Sequence, residues 1–239
     1  TPGSMNSSLR GGLVEFSHPS STFIEPFFLT VAAGSGGPQI RYTSDGSSPT
    51  NESLLYTGLI EITKTTQIRA SAVSISGVLG PVSSVSFVQL DEDVRNFNSN
   101  LPIVVLENFD GGRFRSNLIT PAFMAIFEPD QTGRSLLAQR ANVTTRASVK
   151  IRGASTNNQP KPNYSVEMWD ETDDDRAIPM LGMPANADWV FYAPHDIDLT
   201  LIRNAVAFEL SNQMGHYAPR TRFVEVFTNT GGGPLSADD

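Results

Sequence analysis

Short apolar or alternating runs, separated by turns, fill the first part of the chain. Residues 27–31 form an apolar run, whereas Gln39–Thr43 alternates with a period of two. Further runs cover Ile60–Ile62, residues 67–73 and residues 83–90. Strand signals spaced roughly 8–12 residues apart are typical of antiparallel sandwiches, so the pattern predicts an all-β sandwich.

A polar, Asn-rich stretch interrupts this pattern at residues 91–100, and three acidic residues open it. Domain boundaries fall in such stretches, because few contacts cross them. We therefore predict a flexible N-terminus at residues 1–12, the sandwich at 13–92, a linker at 93–100 and a second domain at 101–239.

The second domain combines several strand signals with a single helix signal. Its apolar or alternating runs predict strands at residues 102–106, 121–127, 148–151, 164–169, 189–192 and 223–227. Because these runs are short and lie close together along the chain, we expect the strands to pair mainly antiparallel.

The helix is predicted at residues 199–214. Asp198 is a suitable N-cap, and Gly215 is suited to the left-handed conformation that ends many helices. Between them, apolar side chains recur at steps of three and four residues, at Leu199, Ile202, Val206, Leu210 and Met214. The second domain is therefore predicted to be α+β, with one main helix.

Composition narrows the possible functions. The chain has 239 residues, 39% of them hydrophobic, a formal net charge of −8 and no Cys. The negative charge argues against general nucleic-acid binding, which needs a basic surface. The lack of Cys excludes disulfides and Cys-ligated zinc. No apolar run approaches the ~20 residues of a membrane span, and no signal peptide opens the chain.

Acidic side chains concentrate at residues 170–175, with the sequence DETDDD. This stretch lacks the Gly and the final Glu of an EF-hand loop, so we predict a solvated hairpin tip instead of a calcium site. The three His residues, His18, His195 and His216, are far apart and form no ligand spacing. We therefore assign neither a metal site nor a catalytic residue.

Three segments of the first domain have the order of motifs of a known module. They are IRYTSDGSSPT at residues 40–50, LYTGLIEI at 55–62 and TQIRASAV at 66–73. They resemble the C-terminal module of chitobiases and β-hexosaminidases, which also occurs in bacterial surface proteins. The resemblance implies an immunoglobulin/fibronectin-like accessory sandwich without catalytic function. Tyr42 and Tyr56 are candidates for stacking on a sugar, or else they are core or turn residues.

The second domain contains VKIRGAST at residues 149–156, KPNYSVEMW at 161–169 and APRTRFVEVFTN at 218–229, with a long matching segment at 180–215. This order resembles the CotH (spore coat protein H) family of atypical protein kinases. The resemblance implies a region like a kinase N-terminal lobe. It also implies ATP and Mg²⁺ as cofactors of the parent protein, and Ser or Thr of a protein as its substrate.

Three side chains are candidates for nucleotide binding. Lys161 opens a strand after a turn-rich stretch, and is either a phosphate ligand or a solvated Lys at a strand start. Arg152, next to Gly153, either clamps a phosphate or pairs with a carboxylate. Glu209 is the one acidic residue inside the predicted helix, and it either orients Lys161 or lies on the surface.

The catalytic aspartates of the family lie downstream of the position that Asn229 occupies here. We therefore expect an inactive fragment of a bacterial secreted or cell-surface protein whose parent transfers phosphate from ATP to protein Ser or Thr. The alternative is a non-catalytic adhesion or carbohydrate-associated module, with cell-wall glycan as its partner.

Overall fold

The computed structural model describes residues 12–34, 39–109, 111–153, 159–194 and 198–239. The predicted flexible N-terminus, except Gly12, lies outside this part of the chain, as does His195. Regular structure in the described residues is mostly β-strand, arranged in several sheets with one α-helix.

Nine strands make up the first part of the molecule. They are β1 (Val14–Phe16), β2 (Ser21–Phe23), β3 (Phe27–Leu29), β4 (Val31–Ala33), β5 (Gln39–Thr43), β6 (Leu54–Leu55), β7 (Ile60–Ile62), β8 (Thr66–Val73) and β9 (Leu79–Gln89). Five of them form a sheet in the order β2-β9-β8-β5-β6, in which β2 and β9 run parallel and the other neighbours antiparallel.

The other four strands form two antiparallel pairs, β1 with β4 and β3 with β7. Leu29 and Ile62 of one pair are packed in a common core with Ile68 and Phe87 of the five-stranded sheet, and all four are buried. Alternate residues of a strand face the same side, so two sets of strands can bury one apolar face each. The arrangement is consistent with the predicted sandwich.

Ten strands and the helix follow. They are β10 (Asn98–Ser99), β11 (Ile103–Glu107), β12 (Thr120–Phe127), β13 (Ser135–Leu136), β14 (Val143–Arg152), β15 (Asn163–Trp169), β16 (Ile178–Met180), β17 (Met183–Asn186), β18 (Asp188–Phe191), α1 (Arg203–Gln213) and β19 (Glu225–Asn229). Six of the strands form a sheet in the order β18-β15-β14-β12-β11-β19. Only β11 and β19 are parallel in it, so the pairing is mainly antiparallel, as predicted.

One face of the six-stranded sheet is mainly apolar. Leu106, Met124, Val149 and Met168 are fully buried on it, and Met183 of the β16–β17 hairpin packs against them. The run of apolar side chains at alternate positions of neighbouring strands explains why this face forms a core.

The opposite face of the sheet is covered over only part of its width. Above β11 and β19, Val105 and Phe227 pack with Leu90 at the end of the sandwich and with Leu235 near the end of the chain. Above β14, β15 and β18, the side chains on this face include Lys150, and they line an open pocket. The two halves of this face therefore differ in polarity and in exposure.

Arg69 in β8 links the sandwich to the six-stranded sheet. It is 2% exposed, and its Nη1 donates to the Gly46 carbonyl (3.2 Å) and to the Ser48 hydroxyl (3.1 Å). Its Nη2 donates to the Glu171 carbonyl (2.7 Å) and lies 3.6 Å from Glu171 Oε2. Glu171 Oε1 in turn accepts hydrogen bonds from the backbone N–H (3.2 Å) and the hydroxyl (2.7 Å) of Ser84.

The prediction of a solvated hairpin tip at residues 170–175 is therefore wrong for part of the turn. Glu171 contacts the sandwich, and Asp173 forms an ion pair with the buried Arg146 of β14. Asp174 remains exposed, as predicted. Two buried guanidinium groups require counter-charges, and this turn supplies one to each.

The helix starts later than predicted, at Arg203 instead of Leu199. The backbone of Leu201 has a positive φ of 61°, which is incompatible with a right-handed helix. Asp198 still caps the helix from a distance, because its Oδ2 accepts a hydrogen bond from the backbone N–H of Arg203 (2.8 Å). Its other oxygen accepts bonds from Thr200, and these hydrogen bonds lower the pKa of the Asp198 carboxyl.

The C-terminus of the helix is as predicted. Gly215 has a φ of 81°, its N–H donates to the Asn212 carbonyl (3.1 Å), and the N–H of His216 donates to the Ser211 carbonyl (3.0 Å). This pair of bonds is the Schellman motif. No residue of α1 is buried, so its apolar stripe lies open to solvent in the described structure.

Candidate functional site

Two of the three predicted nucleotide-binding residues lie at one end of the β14–β15 hairpin. Arg152, the last residue of β14, pairs with Asn163, the first residue of β15. Lys161 precedes Asn163 by two residues, so its backbone lies at the same end of the hairpin. Residues 155–158 of the turn-rich stretch predicted before Lys161 lie outside the described residues.

Lys161 and Arg152 are both exposed. Gly153, which follows Arg152, has a φ of 92°, a conformation that other residues rarely adopt. This glycine directly follows the last residue of β14. The hairpin end is therefore able to present an ammonium and a guanidinium group to an anion.

Glu209 does not join these two residues in the structure. Its side chain is exposed on α1 and accepts a hydrogen bond from Gln213 Nε2 (2.8 Å), one helical turn further on. It makes no ion pair with Lys161 in the part of the chain that the structure describes. The assignment of all three residues to nucleotide binding stays a prediction.

A pocket of about 310 Å³ lies next to the hairpin end, on the polar half of the sheet face. Lys150 and Arg152 line it from β14, and Glu167 and Asp188 line it from β15 and β18. Ser148 donates to Glu167 Oε2 (3.3 Å), which also accepts a hydrogen bond from Trp169 Nε1 (3.1 Å). The pocket therefore combines two cationic and two anionic side chains.

Sequence reasoning missed Lys150. The signal was available, because Ser148, Lys150 and Arg152 occupy alternate positions of one strand and therefore project from the same face. Three polar side chains in this arrangement, opposite the buried Val149 and Ile151, indicate a solvent-facing surface on β14.

The described residues contain no group of three or more His, Asp or Glu side chains that are placed to hold a metal ion. At the pocket, Glu167 and Asp188 are the two acidic groups, and Glu167 is already bound to Ser148 and Trp169. These two carboxylates alone do not make a metal site, because Mg²⁺ bound through one or two carboxylates takes its remaining ligands from substrate phosphates and water.

The most strongly perturbed carboxyl lies elsewhere, at Glu107 in β11, and sequence reasoning missed it. Glu107 is completely buried, and its Oε1 accepts a hydrogen bond from the backbone N–H of Phe109 (2.6 Å). Its Oε2 has no hydrogen-bond partner among the residues that the structure describes. Burial raises the pKa of Glu107 to about 8, and the negative charge of Asp239 adds to the rise.

Tyr42 and Tyr56 are placed inside the sandwich. Their rings lie edge to face, with the ring centroids 6.5 Å apart, and both pack against the buried cluster that includes Ile40. The Tyr56 hydroxyl accepts a hydrogen bond from the backbone N–H of Val31 (3.1 Å). Of the two alternatives, the structure therefore favours core residues over a sugar-stacking surface.

Two families match the chain, in the predicted order. The family described as chitobiase/beta-hexosaminidase C-terminal domain matches residues 18–84, and the family described as CotH kinase protein matches residues 149–232. Both resemblances seen in the sequence are thus confirmed. The first match lies within the sandwich, and the second extends from β14 to the loop after β19. No curated protein and no solved structure matches the chain significantly.

No helix in the described part of the chain has both the length and the apolar character needed to cross a membrane.

Proposed function

We propose that residues 101–239 are the nucleotide-binding part of a CotH-type protein kinase, similar in its role to a kinase N-terminal lobe. The parent protein transfers the γ-phosphate of ATP to Ser or Thr of a protein substrate. The observation that carries this proposal is the CotH match to residues 149–232, because it includes Arg152, Lys161 and Glu209.

The geometry of the hairpin end supports phosphate binding. Arg152 and Lys161 meet at one end of β14 and β15, and Lys150 lies two residues before Arg152 on the same face. Phosphoryl-transfer proteins place such cationic groups on the phosphates, where they fix the nucleotide and offset its charge. These residues are assigned to binding, and the transfer itself belongs to the parent protein.

For Glu209 the proposed role is to orient Lys161. A role in orienting Lys161 requires the helix side chain to exchange its bond with Gln213 for one with Lys161. We assign this role from the family resemblance. The location of the parent, secreted or on a bacterial cell surface, likewise rests on the resemblance of residues 18–84 to an accessory module.

Thermal unfolding in the presence of ATP tests the binding proposal. A ligand that binds the folded state alone raises Tm, and the shift grows with ligand concentration. We expect ATP to raise the Tm of the wild-type protein, and Lys161→Ala and Lys150→Ala to reduce that shift by more than half. Adenosine, which lacks phosphates, is expected to give a much smaller shift.

Lys64→Ala is the matched control, since Lys64 is an exposed lysine in the sandwich, after β7. This variant should keep the full ATP shift. An absence of any ATP shift in the wild type, or an equal shift in Lys161→Ala and Lys64→Ala, would refute the proposal.

A further inference from the structure

A second concave site lies between the sandwich and the six-stranded sheet. This interdomain cleft has a volume of about 380 Å³ and shares no lining residue with the pocket around Lys150. Ligand sites of small molecules span roughly 300–1,000 Å³ and often lie between domains. The cleft therefore has the size and the position of a site for a small ligand.

Its floor is a row of three side chains from adjacent strands. Phe123 of β12 pairs with Arg146 of β14, and Arg146 pairs with Trp169 of β15. Directly paired residues project from the same face of a sheet, so the Arg146 side chain leaves the sheet between two aromatic residues. Trp169 is only partly buried, which leaves part of its ring accessible at the cleft.

Arg146 retains hydrogen-bonding capacity that the protein does not use. Its Nη1 donates to the Asp170 carbonyl (2.7 Å) and pairs with Asp173. Its Nε and Nη2 make no hydrogen bond to the described residues, although Arg146 is 8% exposed. A guanidinium offers five N–H donors, so a nearly buried one with idle donors at a cleft is a feature that a polar ligand would complete.

The walls of the cleft supply both donors and acceptors. Ser84 and Ser86 contribute hydroxyl groups from the sandwich, and Glu171 contributes its carboxylate from the opposite side. The Oε2 atom of Glu171 is buried and lies 3.6 Å from Arg69 Nη2, so it serves the ion pair with Arg69 and is not exposed to the cleft. The hydroxyl groups of Ser84 and Ser86 can each donate and accept a hydrogen bond, which complements the idle donors of Arg146.

The charges around the cleft have both signs, with an excess of negative charge on the adjoining turn. The cationic groups are Arg69, Arg146 and Arg176, and the anionic groups of the adjoining turn are Asp170, Glu171 and Asp173. Asp174 and Asp175 lie on the same turn and add negative charge. A polyanion would meet this acidic turn, whereas a neutral ligand with many hydroxyl groups uses donors and acceptors alike.

We propose that the interdomain cleft binds a neutral saccharide, one hexose unit of which occupies the floor. The C–H face of the sugar ring lies on Trp169, because the face of an aromatic ring carries partial negative charge. The sugar hydroxyls accept from Nε and Nη2 of Arg146 and donate to the hydroxyl oxygen of Ser84. The inference is independent of the nucleotide proposal, since the two sites have different residues.

Trp169 fluorescence reports binding directly. The chain has two Trp residues, so a Trp189→Phe background leaves Trp169 as the single reporter. The probes are glucose, N-acetylglucosamine and their β-1,4-linked trimers, each titrated to about 20 mM, which would saturate a site with a Kd near 1 mM. We expect a saturable change with at least one probe. Tighter binding of a trimer than of its monomer would assign the ligand to a polysaccharide, and equal binding would assign it to a single sugar.

Thr144→Phe tests the location. Thr144 lines the cleft, and its hydroxyl makes no hydrogen bond in the described structure, so the larger side chain fills the cleft without removing a bond. We expect it to weaken saccharide binding at least tenfold. Thr120→Phe is the control, because Thr120 is a partly buried threonine of the same sheet that does not line the cleft. It should bind like the background protein.

Three results would overturn the inference. They are the absence of a fluorescence change with all four sugars, unchanged binding in Thr144→Phe, and a saturable change with inorganic phosphate that competes with the sugars. The last result would assign the cleft to anions.

Discussion

The acidic turn at residues 170–175 and the helix α1 are both surface segments of the chain after the sandwich. They differ in the contacts that their side chains make with buried residues. Within the turn, Glu171 reaches the buried Arg69 of the sandwich, and Asp173 pairs with the buried Arg146. The helix carries an apolar stripe, yet Leu210 is 54% exposed and Met214 is 72% exposed. The more charged segment is the better anchored one.

The difference shows what a buried charge and an exposed apolar stripe each need before they stabilise the fold. A guanidinium inside a protein is costly unless a carboxylate compensates it, so Arg69 and Arg146 fix the position of the turn. An apolar stripe gains free energy only where another surface covers it. In the described structure no element packs on the stripe, and the helix is held through Asp198 and its backbone caps.

The largest expected effect on stability comes from Glu107, a buried carboxyl that has no counter-charge among the described residues. Its pKa is raised to about 8 in the folded protein, against an ordinary value near 4.5. Between these values the folded state holds one proton more than the unfolded state. Stability should therefore fall by about 1.4 kcal/mol for each pH unit between about pH 5 and pH 8.

Urea unfolding at several pH values measures this slope. Glu107→Gln keeps an acceptor for the Phe109 N–H and cannot ionise, so it should remove the slope that Glu107 contributes. Glu61→Gln, at an exposed glutamate of β7, is the control and should leave the slope as in the wild type. A wild-type slope equal to that of Glu107→Gln would mean that Glu107 titrates normally.

The next largest effect on the free energy of unfolding is expected at the ion pair between Arg69 and Glu171. Glu171→Ala leaves Arg69 buried without its carboxylate and also removes the acceptor of Ser84. Breaking a fully buried pair costs roughly 3–5 kcal/mol. Because the Glu171 side chain is 37% exposed, we expect a loss of about 2–3 kcal/mol in the free energy of unfolding.

Asp175→Ala is the matched change for this measurement, at an exposed carboxylate of the same turn. It should alter the free energy of unfolding by less than about 0.5 kcal/mol. Equal effects of the two substitutions would show that the ion pair with Arg69 contributes nothing specific, and the anchored turn would lose its explanation.

The smallest effect is expected on the helix. Leu210→Gln replaces an exposed apolar side chain and should change the free energy of unfolding by less than about 0.5 kcal/mol. The same substitution at Leu106, which is fully buried in the sheet core, should prevent stable folding. A loss of more than about 2 kcal/mol in Leu210→Gln would mean that another surface covers the stripe in solution.

Much of the fold was predictable, because strands and turns follow local patterns. The predicted strand at Ile60–Ile62 has the observed bounds of β7, and the strand predicted at residues 67–73 begins one residue after the start of β8. Gly215 ends the helix as its residue type predicts, whereas the helix start was missed by four residues because Leu201 takes a left-handed conformation. That conformation depends on the bonds of Asp198, which the sequence pattern does not show.

The candidate site was predictable in part. Lys161 and Arg152 were found from a strand start and a strand end, and the hairpin does place them at one end. Lys150 was missed although its alternation with Arg152 is visible in the sequence. The interdomain cleft was out of reach, because Phe123, Arg146 and Trp169 become neighbours only through pairing between strands that are distant in the chain.

By itself, the sequence determined where strands and turns form, how the helix ends, and the order of the two family resemblances. Periodicity and turn chemistry act over a few residues, so these features are written locally. The tertiary structure alone decided which side chains are buried and which are in contact. It placed Glu171 against Arg69, left the helix stripe exposed, and buried Glu107 without a counter-charge among the described residues. Burial and ion pairing depend on residues far apart in the chain, and a local pattern carries no record of them.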